Sequence, residues 1–162
     1  MTSSLLDPLS FRRACARFAT GIAIAGVVAP DGTPQGLTVN SFTSVSADPP
    51  LVLVCIDHEC SLAGHFRRAA RFSISVLSEA QRELSVRFSQ RAENRFEGVD
   101  WTPGAGGVPL LAGCLATFDC KTVRTMDAGD HVVLFGEVNA ATAADGRPLL
   151  YFDSRYRLLG DA

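Results

Sequence analysis

Six short hydrogen-bonding side chains crowd the first half of GLTVNSFTSVSADPPLVLVCID, the stretch from Gly36 to Asp57: Thr38, Asn40, Ser41, Thr43, Ser44 and Ser46. None is a strong acid or base. Such a set can orient a polar ligand by hydrogen bonds, but it cannot run acid–base chemistry. Other chemistry-bearing residues are sparse. His58, Glu59 and His65 share one short segment, but a structural zinc site wants four tightly spaced ligands and no second cluster accompanies them, so they read as solvated surface groups. Asp130-His131 follows Gly129 and precedes an apolar strand. A lone histidine there reads first as structural, and Asp127 and Asp130 read as turn residues. The chain has no GxGxxG after a strand, no GxxxxGK[ST], no GxSxG elbow and no HExxH, which removes the common dinucleotide, P-loop, serine-hydrolase and metalloprotease signatures.

The elements that must position these residues follow from bulk properties and local pattern. The 162 residues make one domain over 1–162 the expectation, large enough to bury roughly 68–70% of its unfolded surface without staples. Hydrophobic residues at 47% and charged residues at 20% match a soluble globular chain. A net charge of -2 with no basic run longer than Arg67-Arg68 argues against a nucleic-acid binder. The five cysteines are odd in number and contain no CxxC, so we expect reduced, mostly buried thiols and a cytoplasmic protein. The start MTSSLLDPLSFRRA lacks the pattern of a signal peptide, and no apolar run approaches the ~20 residues of a membrane helix, so no membrane partner is expected.

Asp7-Pro8 with Ser10 marks a helix start, and the helical spacing of Phe11, Ala14, Cys15, Phe18 and Ala19 predicts a helix over 8–19. Strands are expected at 21–28 and 35–39 around the turn PDGTP, then at 51–56, which is apolar at nearly every position and so reads as covered on both faces. A short helix over 61–70 precedes the strand FSISVL (72–77), and Ser78 caps a helix over 79–89 with Leu84 and Phe88 four apart. Residues 92–109 read as loop, followed by strands at 115–124 and 131–140 and a last one within 149–159. Roughly seven strands in hairpin-like pairs, with three short helices inserted, predict a mainly β protein built as an antiparallel barrel.

Seven segments then act together: FRRACARFATGIAIAGV (11–27), the Gly36–Asp57 stretch, FSISVLSEAQRELSVRFS (72–89), RFEGVDW (95–101), PLLAGCLATFDC (109–120), GDHVVLFGEV (129–138) and PLLYFDSRYRLL (148–159). In this order and spacing the chain resembles, over about residues 8–160, the short-chain flavin reductases, the reductase components of two-component flavin-dependent monooxygenases. The resemblance implies the FMN-binding split β-barrel. It implies hydride transfer from the nicotinamide of NADH or NADPH to FMN or FAD, release of reduced flavin to a separate oxygenase, and a homodimer with each flavin near the subunit interface. Composition and spacing decide neither FMN against FAD nor NADH against NADPH.

The resemblance also distributes roles. Thr38, Val39, Asn40 and Ser41 would run along the flavin ring edge, with Ser44 and Ser46 near the ribityl chain or phosphate. Cys55, Ile56, Asp57 and Ser61 would border the ribityl and phosphate; Ser61 reads more simply as a helix cap, and Cys55 as a packing residue. Phe88, Arg91 and Arg95 would lie on the phosphate or adenosine side, Arg95 as a bidentate phosphate donor, with core packing or solvation as their structural alternatives. His131 would border the nicotinamide as the candidate catalytic-pocket residue, Tyr156 would reach the same pocket, and Phe152 and Arg155 are weaker candidates. Hydride transfer needs no general base, so the missing acid–base dyad fits. Two alternatives share the fold: a flavoprotein that keeps FMN or FAD as a fixed group and oxidises a small molecule, and a non-catalytic flavin-binding module.

Overall fold

The computed structural model describes residues 6–160; residues 1–5 and 161–162, the two ends of the domain expected over 1–162, lie outside the described residues. Helix α1 (Pro8–Cys15) starts where the sequence places it: Asp7 Oδ2 accepts from the Ser10 N–H at 2.9 Å and from its hydroxyl at 3.0 Å, and proline opens the first turn. It ends four residues earlier than expected, and Thr20–Gly21 forms a separate strand β1. Strands β2 (Ala23–Val28), β3 (Pro34–Val39), β4 (Thr43–Ala47) and β5 (Pro50–Asp57) follow. Then come α2 (Ala63–Arg68), β6 (Arg71–Val76), a 3-10 turn (Glu79–Gln81) running into α3 (Arg82–Ser89), and the short strands β7 (Trp101–Pro103) and β8 (Pro109–Leu111). The chain closes with β9 (Ala116–Ala128), β10 (His131–Ala143), β11 (Leu149–Phe152) and β12 (Arg155–Leu158).

Seven strands form one antiparallel sheet in the order β3-β2-β6-β9-β10-β5-β4, while β1-β11-β12 make a second sheet and β7-β8 a small hairpin. The large sheet curls until β3 comes beside β5. The barrel is therefore split along the β3–β5 seam. Five strands stand beyond the expected seven: β1, which breaks from β2 at Ile22, and four more for three physical reasons. The hydroxyl-rich segment 43–47 is an edge strand, the loop region 92–109 holds β7 and the start of β8, and the C-terminal segment folds on itself through a turn at Asp153 and Ser154. Both turn residues have positive φ, 52° and 58°, as a tight two-residue hairpin requires.

Strand β2 divides two cores. Ala23, Ala25 and Val27 face the barrel interior with Phe66, Phe72, Ile74, Val54, Ile56, Val132 and Leu134. Ile22 and Ile24 face the other way, toward Leu77, Phe88, Leu111 and Leu149. Burying each large apolar side chain of this kind stabilises the fold by roughly 1.5–3 kcal/mol. The alternation in FSISVL serves both cores. Phe72 and Ile74 enter the barrel, while the buried Ser73 hydroxyl donates to the Pro109 carbonyl at 2.5 Å and Ser75 Oγ accepts the Leu111 N–H at 3.1 Å. The hydroxyl face of β6 thus anchors β8. Strand β5 differs from its reading as doubly covered: Val52, Val54 and Ile56 are buried, whereas Leu51, Leu53 and Cys55 on the opposite face are only half-buried, because that side carries no packed layer of its own.

Candidate functional site

Ser41 joins the seam. Its hydroxyl donates to the Cys55 carbonyl at 2.9 Å and accepts the Cys55 N–H at 3.0 Å. One side chain thereby supplies the two hydrogen bonds that a neighbouring strand would give β5. Thr38, near the end of β3, donates to the Ser85 carbonyl at 2.6 Å and ties α3 to the same seam. These bonds leave a trench between β3, α3 and the β11–β12 ribbon. Its first part is a cavity of about 330 Å³ lined by Ile22, Thr38, Val39, Asn40, Ser85, Ser89 and the β11–β12 residues Tyr151, Ser154 and Tyr156. Its second part, about 360 Å³, shares Thr38 and Ser89 and continues past Asp57, Cys60, Ser61, Phe88, Arg91 and Arg95. Each lies within the roughly 300–1,000 Å³ of ordinary small-molecule sites.

The first cavity is walled by ordered phenols and hydroxyls. The Tyr156 and Ser85 hydroxyls share a hydrogen bond of 2.9 Å, the Tyr151 and Tyr156 rings meet edge-on at 5.8 Å, and the Arg82 guanidinium lies 5.2 Å from the Tyr156 ring centre. Asn40, an exposed residue, lines the cavity, and its carboxamide has no hydrogen-bond partner among the described residues. The second cavity carries cations. Arg95, only 7% exposed, donates through Nε to the Gln90 carbonyl at 2.7 Å and through Nη1 to the Gly36 carbonyl at 2.8 Å, which fixes its guanidinium in the wall. Arg91 reaches the Glu59 carbonyl at 3.4 Å.

Beyond Asp57 lies the tip of the β9–β10 hairpin. His131 pairs with Asp57 across β10 and β5, and its Nδ1 sits 2.6 Å from Asp130 Oδ1. Arg67 of α2 grips Asp127 with two bonds of 2.6 and 3.0 Å, and His58 stands between them, 3.1 Å from Arg67 and 3.5 Å from Asp127. The Arg67 hydrogen bonds lower the pKa of Asp127 from its ordinary value, and the bond to His131 does the same for Asp130. No group of three or more His, Cys, Asp or Glu side chains gathers as a metal site among the described residues, and His58 is engaged in this ion-pair cluster.

The structure brings Thr38, Val39, Asn40 and Tyr156 to the first cavity and Thr38, Asp57, Ser61, Phe88 and Arg95 to the second. It does not gather all the candidates. Ser44 lies on the exposed edge strand β4, and neither it nor Ser46 lines either cavity. Ile56 is 1% exposed and fills the barrel core, and Cys55 acts through its main chain while burial pushes its thiol pKa up. Ser61 is no helix cap: α2 begins at Ala63 with Leu62 in the capping position. Phe88, 1% exposed, is a second-core residue whose edge reaches the trench. His131 and Tyr156 do not line one cavity, since Tyr156 walls the first and His131 lies beyond Asp57 at the hairpin tip. Sequence reasoning missed Ser85, Ser89, Tyr151 and Ser154. The first two were within reach, because they stand four apart in a helix read over 79–89 and share a face with Phe88.

An antiparallel barrel split along one seam, with a hydroxyl- and arginine-lined trench at the split, defines the class of flavin-nucleotide-binding split barrels. Within that class the chain belongs to the flavin reductase like domain family, whose sequence pattern matches residues 15–160. The chain is 44% identical over 142 residues to the FMN reductase (NADH) SmoA of Agrobacterium fabrum, covering 88% of this chain and 80% of that protein. It is 36% identical over 157 residues to the flavin-dependent monooxygenase reductase subunit HsaB of Mycobacterium tuberculosis, covering 95% and 83%. The solved NADH:FAD oxidoreductase SgcE6 of Streptomyces globisporus C-1027, in complex with NAD and FAD fragments, superposes with a TM-score of 0.89 at 34% identity over 98% of each chain. A probable flavin reductase of Rhizobium meliloti is 42% identical over 86% of this chain, which spans only 45% of that relative's length.

Proposed function

We propose that the protein is an NAD(P)H:flavin oxidoreductase that delivers reduced flavin to a separate oxygenase. The observation that carries this reading is the trench at the seam: a hydroxyl- and amide-lined cavity joined to one lined by Arg91 and Arg95 together with Asp57 and Glu59. The donor set fits a flavin nucleotide. Asn40 offers an unpaired carboxamide to the ring edge, the hydroxyls of Ser85, Ser89 and Tyr156 offer partners along the wall, and Arg91 with Arg95 and Ser61 offers cationic and hydroxyl partners to a phosphate. Bound flavin supplies the hydride-accepting N5, and the nicotinamide supplies the hydride from its C4. The chain's own groups bind, orient and exclude water. Thr38 and Ser41 hold α3 and β5 at the distance that keeps the trench open on one side, and His131 hydrogen-bonds the nicotinamide nucleotide from the hairpin tip. SmoA and SgcE6 both carry NADH in their names, which supports NADH as the donor here; one is named for FMN and the other for FAD. The name of HsaB supports an oxygenase partner.

The test is initial-rate NADH oxidation with and without added FMN, FAD or riboflavin. The rate rises with free flavin; no rise would overturn the reductase reading. His131→Ala raises KM for NADH more than KM for flavin, and equal effects would remove the nicotinamide role.

A second copy of the chain completes the assembly in this reading. Helix α1 buries none of its residues, and Phe11 and Phe18 stand 55% and 77% exposed. Both line a hollow of about 220 Å³ that shares Asn40, Tyr151 and Ser154 with the first cavity. Covering that apolar face with another protomer also covers one side of the trench.

A further inference from the structure

From the geometry of the hairpin tip we infer that Asp130 is the positioning residue for His131, holding its imidazole so that Nε2 faces the nicotinamide nucleotide. This rests on the reductase reading above. The two side chains belong to adjacent residues, yet their ring nitrogen and carboxylate oxygen stand 2.6 Å apart. Adjacent side chains on a regular strand point to opposite faces, so this contact requires Asp130 to lie outside the strand. It does: β10 begins at His131, and Gly129, with φ 60°, turns the chain just before Asp130. The main chain of Asp130 is fixed separately, because its carbonyl accepts the His58 N–H at 2.9 Å. The paired bonds of Arg67 to Asp127 hold the other side of the turn against α2. The side chain that meets the ring is Asp130; Asp57 stands across from His131 on β5, while Asp127 near the end of β9, Arg67 of α2 and His58 bind one another in the neighbouring ion-pair cluster. Two of the carboxylates are already committed elsewhere, Asp57 Oδ1 to the Glu59 N–H and Asp127 to Arg67. Asp130 is left to serve His131. A carboxylate on Nδ1 selects the tautomer with the proton on that nitrogen and leaves Nε2 as the acceptor for a carboxamide N–H or a ribose hydroxyl.

The experiment combines a spectroscopic and a kinetic readout on the full chain. In ¹H–¹⁵N correlation spectra of the ring nitrogens of the flavin-free protein, His131 carries its proton on Nδ1, and Asp130→Asn redistributes it between the two nitrogens. An unchanged tautomer in that variant would overturn the assignment whatever the activity. In the steady state Asp130→Asn raises KM for NADH about fivefold with kcat and the flavin KM within about twofold, the size of one ordinary hydrogen bond lost. Asp130→Glu restores part of the difference. Asp130→Asn added to His131→Ala has no further effect on KM for NADH; an additive effect would show that Asp130 does not act through His131. Should His131→Ala leave KM for NADH unchanged while the tautomer still responds to Asp130→Asn, the contact stands and the nicotinamide role of His131 is what fails.

Discussion

A single hydroxyl can take the place of a strand. Ser41 satisfies both main-chain groups of Cys55 where β4 no longer reaches, and thereby closes part of an edge that the split leaves open. Ser41→Ala leaves that N–H and carbonyl without partners and costs about 1–3 kcal/mol, read as a lower urea midpoint with an unchanged slope. The cysteines behave differently. Burial pushes the thiol pKa of Cys114 up to about 11 and that of Cys120 up to about 12, so both stay protonated and unreactive at neutral pH. Cys15 is exposed. It lines the α1 hollow that the proposed second copy covers, so a thiol-specific chromogenic reagent at pH 7 labels it slowly where the dimer forms and fast on dilution, and labels Cys120 only on unfolding; a Cys15 rate independent of dilution would contradict the covered face.

Among the elements, the β9–β10 hairpin is sensitive to acid at its tip. Asp127 titrates below its ordinary value of 3.8 because Arg67 hydrogen-bonds its charged form. Its contribution to stability is complete at neutral pH and is lost as pH falls through the depressed folded value. The protection factor of the His58 amide, which donates to the Asp130 carbonyl, falls at the acid end in the parent once the intrinsic pH dependence of exchange is divided out. Arg67→Ala shows the lower protection already at neutral pH. Further along the same strand, a Cβ at Gly136 would stand 2.5 Å from the Phe72 ring and 2.8 Å from Cys120 Cβ. Gly136→Ala overpacks the barrel and costs about 1–3 kcal/mol in chemical denaturation. These elements were unevenly legible in the sequence. FSISVL and the helix start at Asp7 declare themselves by period and cap, because local chemistry decides them. Strand β4 does not, since a run of serines and threonines carries no apolar alternation and is a strand only because β5 offers it an edge. Ser41 and Thr38 were visible as hydroxyls, but their main-chain partners lie 14 and 47 residues away, a separation that no local pattern reports. The His131–Asp130 contact is adjacent in sequence and still hidden, because it depends on where the turn ends and the strand begins.

At the scale of the whole molecule, the described residues contain no helix long and apolar enough to cross a membrane. The two exposed phenylalanines, Phe11 and Phe18, stand on and just after α1, beside the trench. Phe18→Glu shifts the dimer proposed above toward monomer in light scattering and weakens flavin binding with it; a monomeric parent would remove the proposed interface. The single tryptophan gives the molecule a built-in optical reporter. Trp101 meets Phe96 edge-on at 5.9 Å, and Phe96 meets Phe88 at 4.9 Å, so the indole sits two ring contacts behind the trench wall. Indole emission overlaps flavin absorption, and a ring bound in the trench will drain the excited indole by energy transfer. Occupancy can therefore be followed in real time through the dimming of one native fluorophore, without nicotinamide, turnover or an attached dye.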